Sequence, residues 1–276
     1  MLSAHHLQAH LSEKLASLGL PWDVEVLDTV DSTSTELMRQ AKLDPLIPLN
    51  PKVLVSLEQT QGRGRRGHSW TSSKEDSLTF SLGLQLQPIS WLGLSLCVGI
   101  DLLQSLDPEQ SLGLQLKWPN DVWVVKAQRF YKLAGILIET HQPQTDTQLS
   151  PPHARYCVIG IGVNFNAPAL HTSTPLASPI GLSDLGSPLS RQDVILQVVN
   201  KLSVTLKQFE TEGFAYFKER FDQVDCLKNR DIFLSDGTTG RCLGVSKHGE
   251  LLVLQDSEVR TIVSMDVSVR PLKTPG

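Results

Sequence analysis

Leucines at positions 7, 11, 15 and 18 recur at helical spacing, and Gly19 follows to close a helix. The chain is therefore expected to open with one amphipathic helix. A second is expected near Thr33, where Thr33-Ser34-Thr35-Glu36 has the capping-box pattern and Leu37 and Met38 follow. Pro45, Pro48 and Pro51 mark a loop, and residues 53–57 are a short β-type run. Residues 78–86 alternate as a strand should, and residues 91–106 read as a buried helix. Residues 113–118, 122–125, 133–140 and 156–163 are further strand candidates, with a polar, proline-rich surface loop at 141–152. Residues 167–188 hold four prolines among serines and threonines and read as a long mobile loop.

Ser190 caps a helix that carries Ile195, Val198, Val199, Leu202 and Leu206 on one face, and residues 214–221 continue the helical content. Beyond Lys228 the pattern changes to short strands at 231–234, 239–245, 250–254 and 259–263. Asp236-Gly237 and His248-Gly249 supply turns between them. The expected organisation is an α+β domain over residues 1–226 and a small β-barrel over 227–276.

Composition narrows the function. The 276 residues are 40% apolar and 20% charged, and 25 basic against 29 acidic side chains give a net charge of −4. That balance argues against a surface built to grip nucleic acid, so any polyanion site must be local. Cys97, Cys157, Cys226 and Cys242 are scattered, with no CxxC, which argues against a zinc site or a disulfide framework and for reduced thiols in a cytoplasmic protein. The N-terminal residues lack the basic and apolar regions of a signal peptide. The most apolar helical stretch reaches Asp101 after ten residues, about half a bilayer span, so a soluble protein is expected.

Gly62-Arg63-Gly64-Arg65-Arg66-Gly67 matches GxGxxG literally. A dinucleotide fold is rejected, because the residues that follow do not start the helix that would receive a pyrophosphate. Arginines among glycines instead suggest a flexible anion-binding loop, against the plain alternative of a solvated basic turn. Lys117-Trp118-Pro119-Asn120-Asp121 ends a predicted strand in a turn, where a lysine and a carboxylate could handle phosphate and magnesium. Lys132 precedes an apolar strand containing Gly135, and Gly160-Ile161-Gly162-Val163-Asn164 repeats the theme of glycine in a strand, which marks close approach of a ligand or another backbone. Asp31-Ser32-Thr33-Ser34 is a helix cap or a cradle for a small polar ligand.

In the order DSTSTEL, Gln59 with GRGRRGHSW, LKWPNDVWV, KLAGILIE and IGIGVNFN, these segments resemble the biotin–protein ligases. The resemblance runs from about residue 28 to 166 and more weakly to Ser268-Val269-Arg270. It implies a catalytic domain related to class II aminoacyl-tRNA synthetases, followed by a C-terminal barrel like that of Src-homology-3 domains. It implies ATP and biotin as substrates, Mg2+ as cofactor, a biotinyl-adenylate intermediate, and transfer to a lysine of biotin carboxyl carrier protein. Lys132, Arg65 and Asp121 are the implied catalytic residues, with Asp121 also the magnesium candidate. Ser32, Thr33, Ser34, Gln59, Arg63, Gly64, Arg65, Lys132, Gly135 and Gly162 are implied at biotin. Arg65, Arg66, Trp70, Asn120, Lys132, Asn164 and Arg270 are implied at the nucleotide. Arg63 and Arg65 would both screen phosphate from carboxylate.

The chain departs from the family pattern at Ser34, where asparagine is common, at His68, where arginine is common, and at Ser264-Met265-Asp266 in place of Ser-Gly-Glu. About 25 residues precede the catalytic pattern, which leaves no room for the DNA-binding domain of some relatives, so no nucleic-acid partner is expected. A monomer and a homodimer are both compatible with the sequence. The alternatives are a lipoate or octanoate transferase of the same fold, a nucleic-acid-binding module using the arginine loop, and an inactive biotin-binding protein.

Overall fold

The computed structural model describes residues 3–43, 50–142, 154–168, 177–263 and 269–272. Ser3 caps α1 (Ala4–Ser17), which buries Leu7, Leu11 and Leu15. Leu18 lies off that face, beyond the last turn and 52% exposed, while Gly19 ends the helix at φ 70° as expected. The next element, β1 (Asp23–Val30), leads into α2 (Thr33–Leu43). Here the capping pattern shifts by one residue: Glu36 N–H bonds the Ser32 carbonyl, and the Thr33 side chain turns inward instead of capping. Pro45 and Pro48 lie outside the described residues.

The strands β2 (Lys52–Gln59) and β3 (Ser77–Leu86) precede α3 (Leu94–Leu106), which begins three residues later than the apolar run suggests, after Gly93 at φ 80°. Then follow β4 (Leu114–Lys117), β5 (Asp121–Lys126), β6 (Arg129–His141) and β7 (Arg155–Asn164). The described part of 167–188 is not simply loop. It contains β8 (Ser178–Pro179), which pairs with β6, and a 3-10 turn at Ser183–Leu185. A full capping box between Ser190 and Asp193 starts α4 (Arg191–Glu212), and a 3-10 turn leads into α5 (Lys218–Val224).

The large sheet runs in the order β1-β2-β3-β7-β6-β5-β4. Only β1–β2 and β6–β8 are parallel, the first pair through the α2 crossover. Alternation along the strands gives the sheet two unlike faces. One presents Val53, Val55, Phe80, Leu82, Ile159 and Ile161 to the core formed with α1, α3 and α4. The opposite face carries Leu54 and Val158 under α2, and beside them Thr79, Ser81, Gly160 and Gly162. A stretch of hydroxyls and glycines in the middle of a sheet cannot make core, and there the sheet opens into a cavity.

The C-terminal strands β9 (Asp231–Leu234), β10 (Thr239–Val245), β11 (Leu251–Gln255), β12 (Glu258–Ile262) and β13 (Val269–Pro271) form a small antiparallel sheet in the order β12-β11-β10-β9-β13. Its apolar face joins the main core through Ile232, Leu234, Cys242, Val245, Leu251 and Val253. Gly237 and Gly249, both at positive φ, make the two expected turns. The Trp118 indole N–H donates to the Gly249 carbonyl at 3.0 Å, and the Cys226 amide donates to the Leu116 carbonyl at 2.8 Å. The first bond ties the small sheet, and the second the segment leading into it, to the strand-turn that carries Asn120 and Asp121.

Candidate active site

A cavity of about 510 Å³ lies between α2, the glycine-arginine loop and the open face of the large sheet. Ser32, Thr33, Ser34, Gln59, Arg63, Gly64, Arg65, Arg66, Trp70, Asn120, Asp121, Lys132, Gly135, Gly162 and Arg270 all line it. Residues as far apart in sequence as 32 and 270 thus share one wall. Asn164 does not. It is buried at the end of β7, where its side-chain amide donates to the Lys132 carbonyl at 3.2 Å, so it positions the backbone behind the site.

One end of the cavity is a neutral hydrogen-bonding pocket. The Gln59 side-chain carbonyl accepts from the Thr33 amide at 2.8 Å and from the Thr33 hydroxyl at 3.1 Å. The Ser81 hydroxyl bonds those of Thr33 at 2.7 Å and Ser34 at 3.0 Å. Gly160 is the floor here, and a Cβ on it would overlap the Ser34 hydroxyl. Buried hydroxyls and an amide so linked can re-pair with the polar ring of a ligand without leaving an orphan group.

The other end is cationic. Arg65, Arg66, Lys117, Lys132 and Arg270 line the cavity there, with Asp121 the carboxylate among them. Lys132 Nζ is 2.8 Å from Asp121 Oδ1 and 5.5 Å from the centre of the Trp70 ring. Arg65 donates to Asn120 Oδ1 at 3.4 Å, and Asn120 is clamped to β6 by bonds to and from Ile136 at 2.7 and 2.9 Å. Burial lowers the Arg65 pKa, a shift that the charge of Asp121 opposes. A guanidinium remains charged in such a place. Trp70 lies against Gly162, where a side chain would collide with the indole, and close to Gly135, where one would press on it at 3.2 Å. That indole N–H is buried without a partner, so a donor is available at the cavity wall.

A bulge arranges β6 for this purpose. Val122 faces Ala134 and Trp123 faces Lys132, so Leu133 is an extra residue in the ladder. It shifts the alternation by one and brings Lys132 onto the face that Gly135 and Leu137 present to the cavity. Lys132 Nζ lies 3.3 Å from where a Gly135 Cβ would be.

Lys117, the lysine expected to handle phosphate beside Asp121, lines the cavity, as do Thr79 and Trp123, with Ser81 bonded to Thr33 and Ser34; these last three were not expected there. Lys117 is the most telling: its amine is wholly buried near Asp121, and desolvation lowers its pKa to about 8, with Lys132 and Arg65 acting in the same direction. A lysine ending the apolar run of β4 was the available signal. The hydroxyls Thr79 and Ser81, alternating with Leu78, Phe80 and Leu82, were another. Among the described residues no cluster of three or more histidine, cysteine or acidic side chains is placed to hold a metal.

Residues 26–164 match the sequence profile of the Biotin/lipoate A/B protein ligase family. The bifunctional ligase/repressor BirA of Escherichia coli (strain K12) is 31% identical over 253 residues, 90% of this chain and 74% of its own length. The biotin–[acetyl-CoA-carboxylase] ligase of Paracoccus denitrificans is 32% identical over 83% of this chain and 92% of its own. Among solved structures, the biotin protein ligase from Aquifex aeolicus in complex with biotin and ATP superposes with a TM-score of 0.70 at 26% identity, covering 90% of this chain and 99% of that one. The profile match, the length of the alignments and the shared architecture make this chain a member of the biotin/lipoate A/B protein ligase family.

Proposed function

We propose that the chain is a biotin–protein ligase: it condenses biotin with ATP to biotinyl-adenylate and pyrophosphate, then transfers biotin to a lysine of biotin carboxyl carrier protein. The observation that carries this reading is the polarity of this cavity, with neutral hydroxyl and amide groups at one end and clustered cations at the other. Biotin's ureido ring matches the first end and its carboxylate, beside the α-phosphate, the second. Lipoate favours the site less. Its dithiolane ring can form hydrogen bonds with neither Gln59 nor the linked hydroxyls, so it gains none of the pairing that a ureido ring gains there.

In the first step a carboxylate oxygen attacks the α-phosphorus and pyrophosphate leaves with the electrons of the broken P–O bond. The two reactants repel each other, and Lys132 and Arg65 lower that repulsion in a site where charge interacts more strongly than in water. Trp70 bounds the nucleotide end and Asn120 orients Arg65. In the second step the carrier lysine's amine attacks the activated carbonyl and AMP leaves. The amine must shed a proton, and Asp121, a carboxylate beside Lys132, would take it. Magnesium suits a wall with a single carboxylate, since this ion takes one or two protein oxygens together with substrate phosphates. When bound it would supply charge neutralisation at the phosphates, with Asp121 as its protein ligand.

The reading extends to a cytoplasmic protein, monomer or homodimer, with no nucleic-acid partner. It is supported by the net charge of −4 and by arginines turned toward a cavity. The test is covalent labelling of the apo carrier domain with labelled biotin. Label is expected only with ATP and magnesium present and only on carrier that retains its acceptor lysine. Label arriving from lipoate, or from biotin without ATP, would overturn the proposal.

A further inference from the structure

The three arginines of the loop point to three different places. Arg65 reaches Asn120 at the cationic end, and Arg66 donates to the Ser235 hydroxyl of the small sheet at 3.2 Å. Arg63 goes the opposite way: its guanidinium donates to the two carboxylate oxygens of Glu139 at 2.8 and 3.4 Å and to the Thr35 hydroxyl at 3.2 Å. Glu139 lies on β6 seven residues beyond Lys132, about 20 Å along the strand. It falls on the same alternation as Gly135 and Leu137, the cavity-facing one, which the bulge at Leu133 lets Lys132 share. Thr35 is in the first turn of α2, directly after Ser34. The Arg63 side chain therefore bridges α2 and β6 across the neutral end of the cavity, with its charge already paired.

We propose that Glu139, with Thr35, is a positioning residue that fixes Arg63 as a strap over the end holding the ring of biotin, and so anchors the first half of the loop. Charge screening at the phosphate then falls to Arg65 and Lys132, and Arg63 contributes retention of the bound acid. Glu139 touches neither reacting group. The pair is partly exposed, with side chains 47% and 23% accessible, so its effect is modest.

This inference rests on the ligase reading for its kinetic arm and is independent of it in its structural arm. In the ligand-free protein, trypsin cleavage after Arg65 or Arg66, followed by mass spectrometry, is expected to run about 3- to 5-fold faster in Glu139→Gln than in wild type. In biotin-dependent pyrophosphate exchange, Glu139→Gln is expected to raise the KM for biotin by a similar factor, with kcat changed less than about twofold. The charge-exchanged pair Arg63→Glu with Glu139→Arg should bring both the nicking rate and the KM back toward wild type. Unaltered nicking in Glu139→Gln, a loss confined to kcat, or failure of the exchanged pair to recover would each overturn the strap. If wild type itself exchanges nothing with biotin, the ligase reading fails while nicking still decides the strap.

Discussion

Lys117 shows how far a motif can be read before its surroundings are known. Its position before Trp118-Pro119 is visible in the sequence, but its burial depends on Trp123, whose ring centre lies 5.5 Å away, and on the closure of β4 against β5. The buried amine has a pKa of about 8, below that of an exposed lysine, and desolvation is the main cause. Between about pH 8 and the unfolded-state value near 10.4, the unfolded chain binds more protons at this group than the native one does. Its contribution to stability therefore rises across that window, and the penalty is complete below pH 8. Lys117→Met should flatten this rise when stability is measured by urea titration from pH 7.5 to 10.5. A variant with the wild-type slope would show that the amine is hydrated. The arginines, Lys132 and Gln59 were legible because each sits in a local motif. The place of Asn164 in a motif gives no hint that its side chain turns back to the Lys132 carbonyl.

At the scale of elements, most helices and strands follow from periodicity, and the exceptions have identifiable causes. In β1, Val24 and Val26 begin an alternation that Asp28 breaks, and Val26 is the one buried residue of the strand. Its strand form comes from parallel pairing with β2 (Asp23 with Lys52 through Val30 with Gln59), which no local pattern encodes. The bulge at Leu133 was equally illegible, because it exists only in the register of β6 against β5. The open face of β3, β7 and β6 was half legible, through glycines that the sequence marked without saying what approaches them. The structure supplies the answer at Gly162, where an added Cβ would lie 2.8 Å from Trp70 Nε1 and closer to the ring carbons. Backbone in a central strand cannot retreat, so Gly162→Ala should displace the indole. The expected result is a rise of about tenfold in the KM for ATP and a shifted tryptophan emission. Unchanged emission and KM would mean that Trp70 is mobile enough not to bound the site.

For the whole molecule, the join between the large and small sheets matters as much as either. The change of pattern after Lys228 was legible, but the bonds across the join were not, since they link Trp118 to Gly249 and Leu116 to Cys226. Asp225 sits at this join, bonded to the Leu227 amide at 2.9 Å, and burial raises its pKa to about 6. Its sign is opposite to that of a surface ion-paired carboxylate. The native state holds the proton more tightly, so the contribution of Asp225 is full below about pH 4 and is lost as pH rises through 6. Asp225→Asn should stabilise the protein by about 1–3 kcal/mol at pH 7–8 and much less at pH 4, as read from Tm against pH. An equal effect at both would place the carboxylate in water. With that join intact, Arg66 meets Ser235 and Arg270 reaches the cavity wall, so the cationic end is completed from both sheets. In the proposed reaction Lys132 and the half-buried Arg65 bring biotin's carboxylate and the α-phosphate of ATP together in that cavity. Its most direct test is exchange of labelled pyrophosphate into ATP, with biotin, lipoate or no acid added, in wild type and in Lys132→Ala. Exchange is expected with biotin alone, with a fall of about a thousandfold in the variant, whereas exchange driven by lipoate, or a Lys132→Ala protein that exchanges at the wild-type rate, would rule this role out.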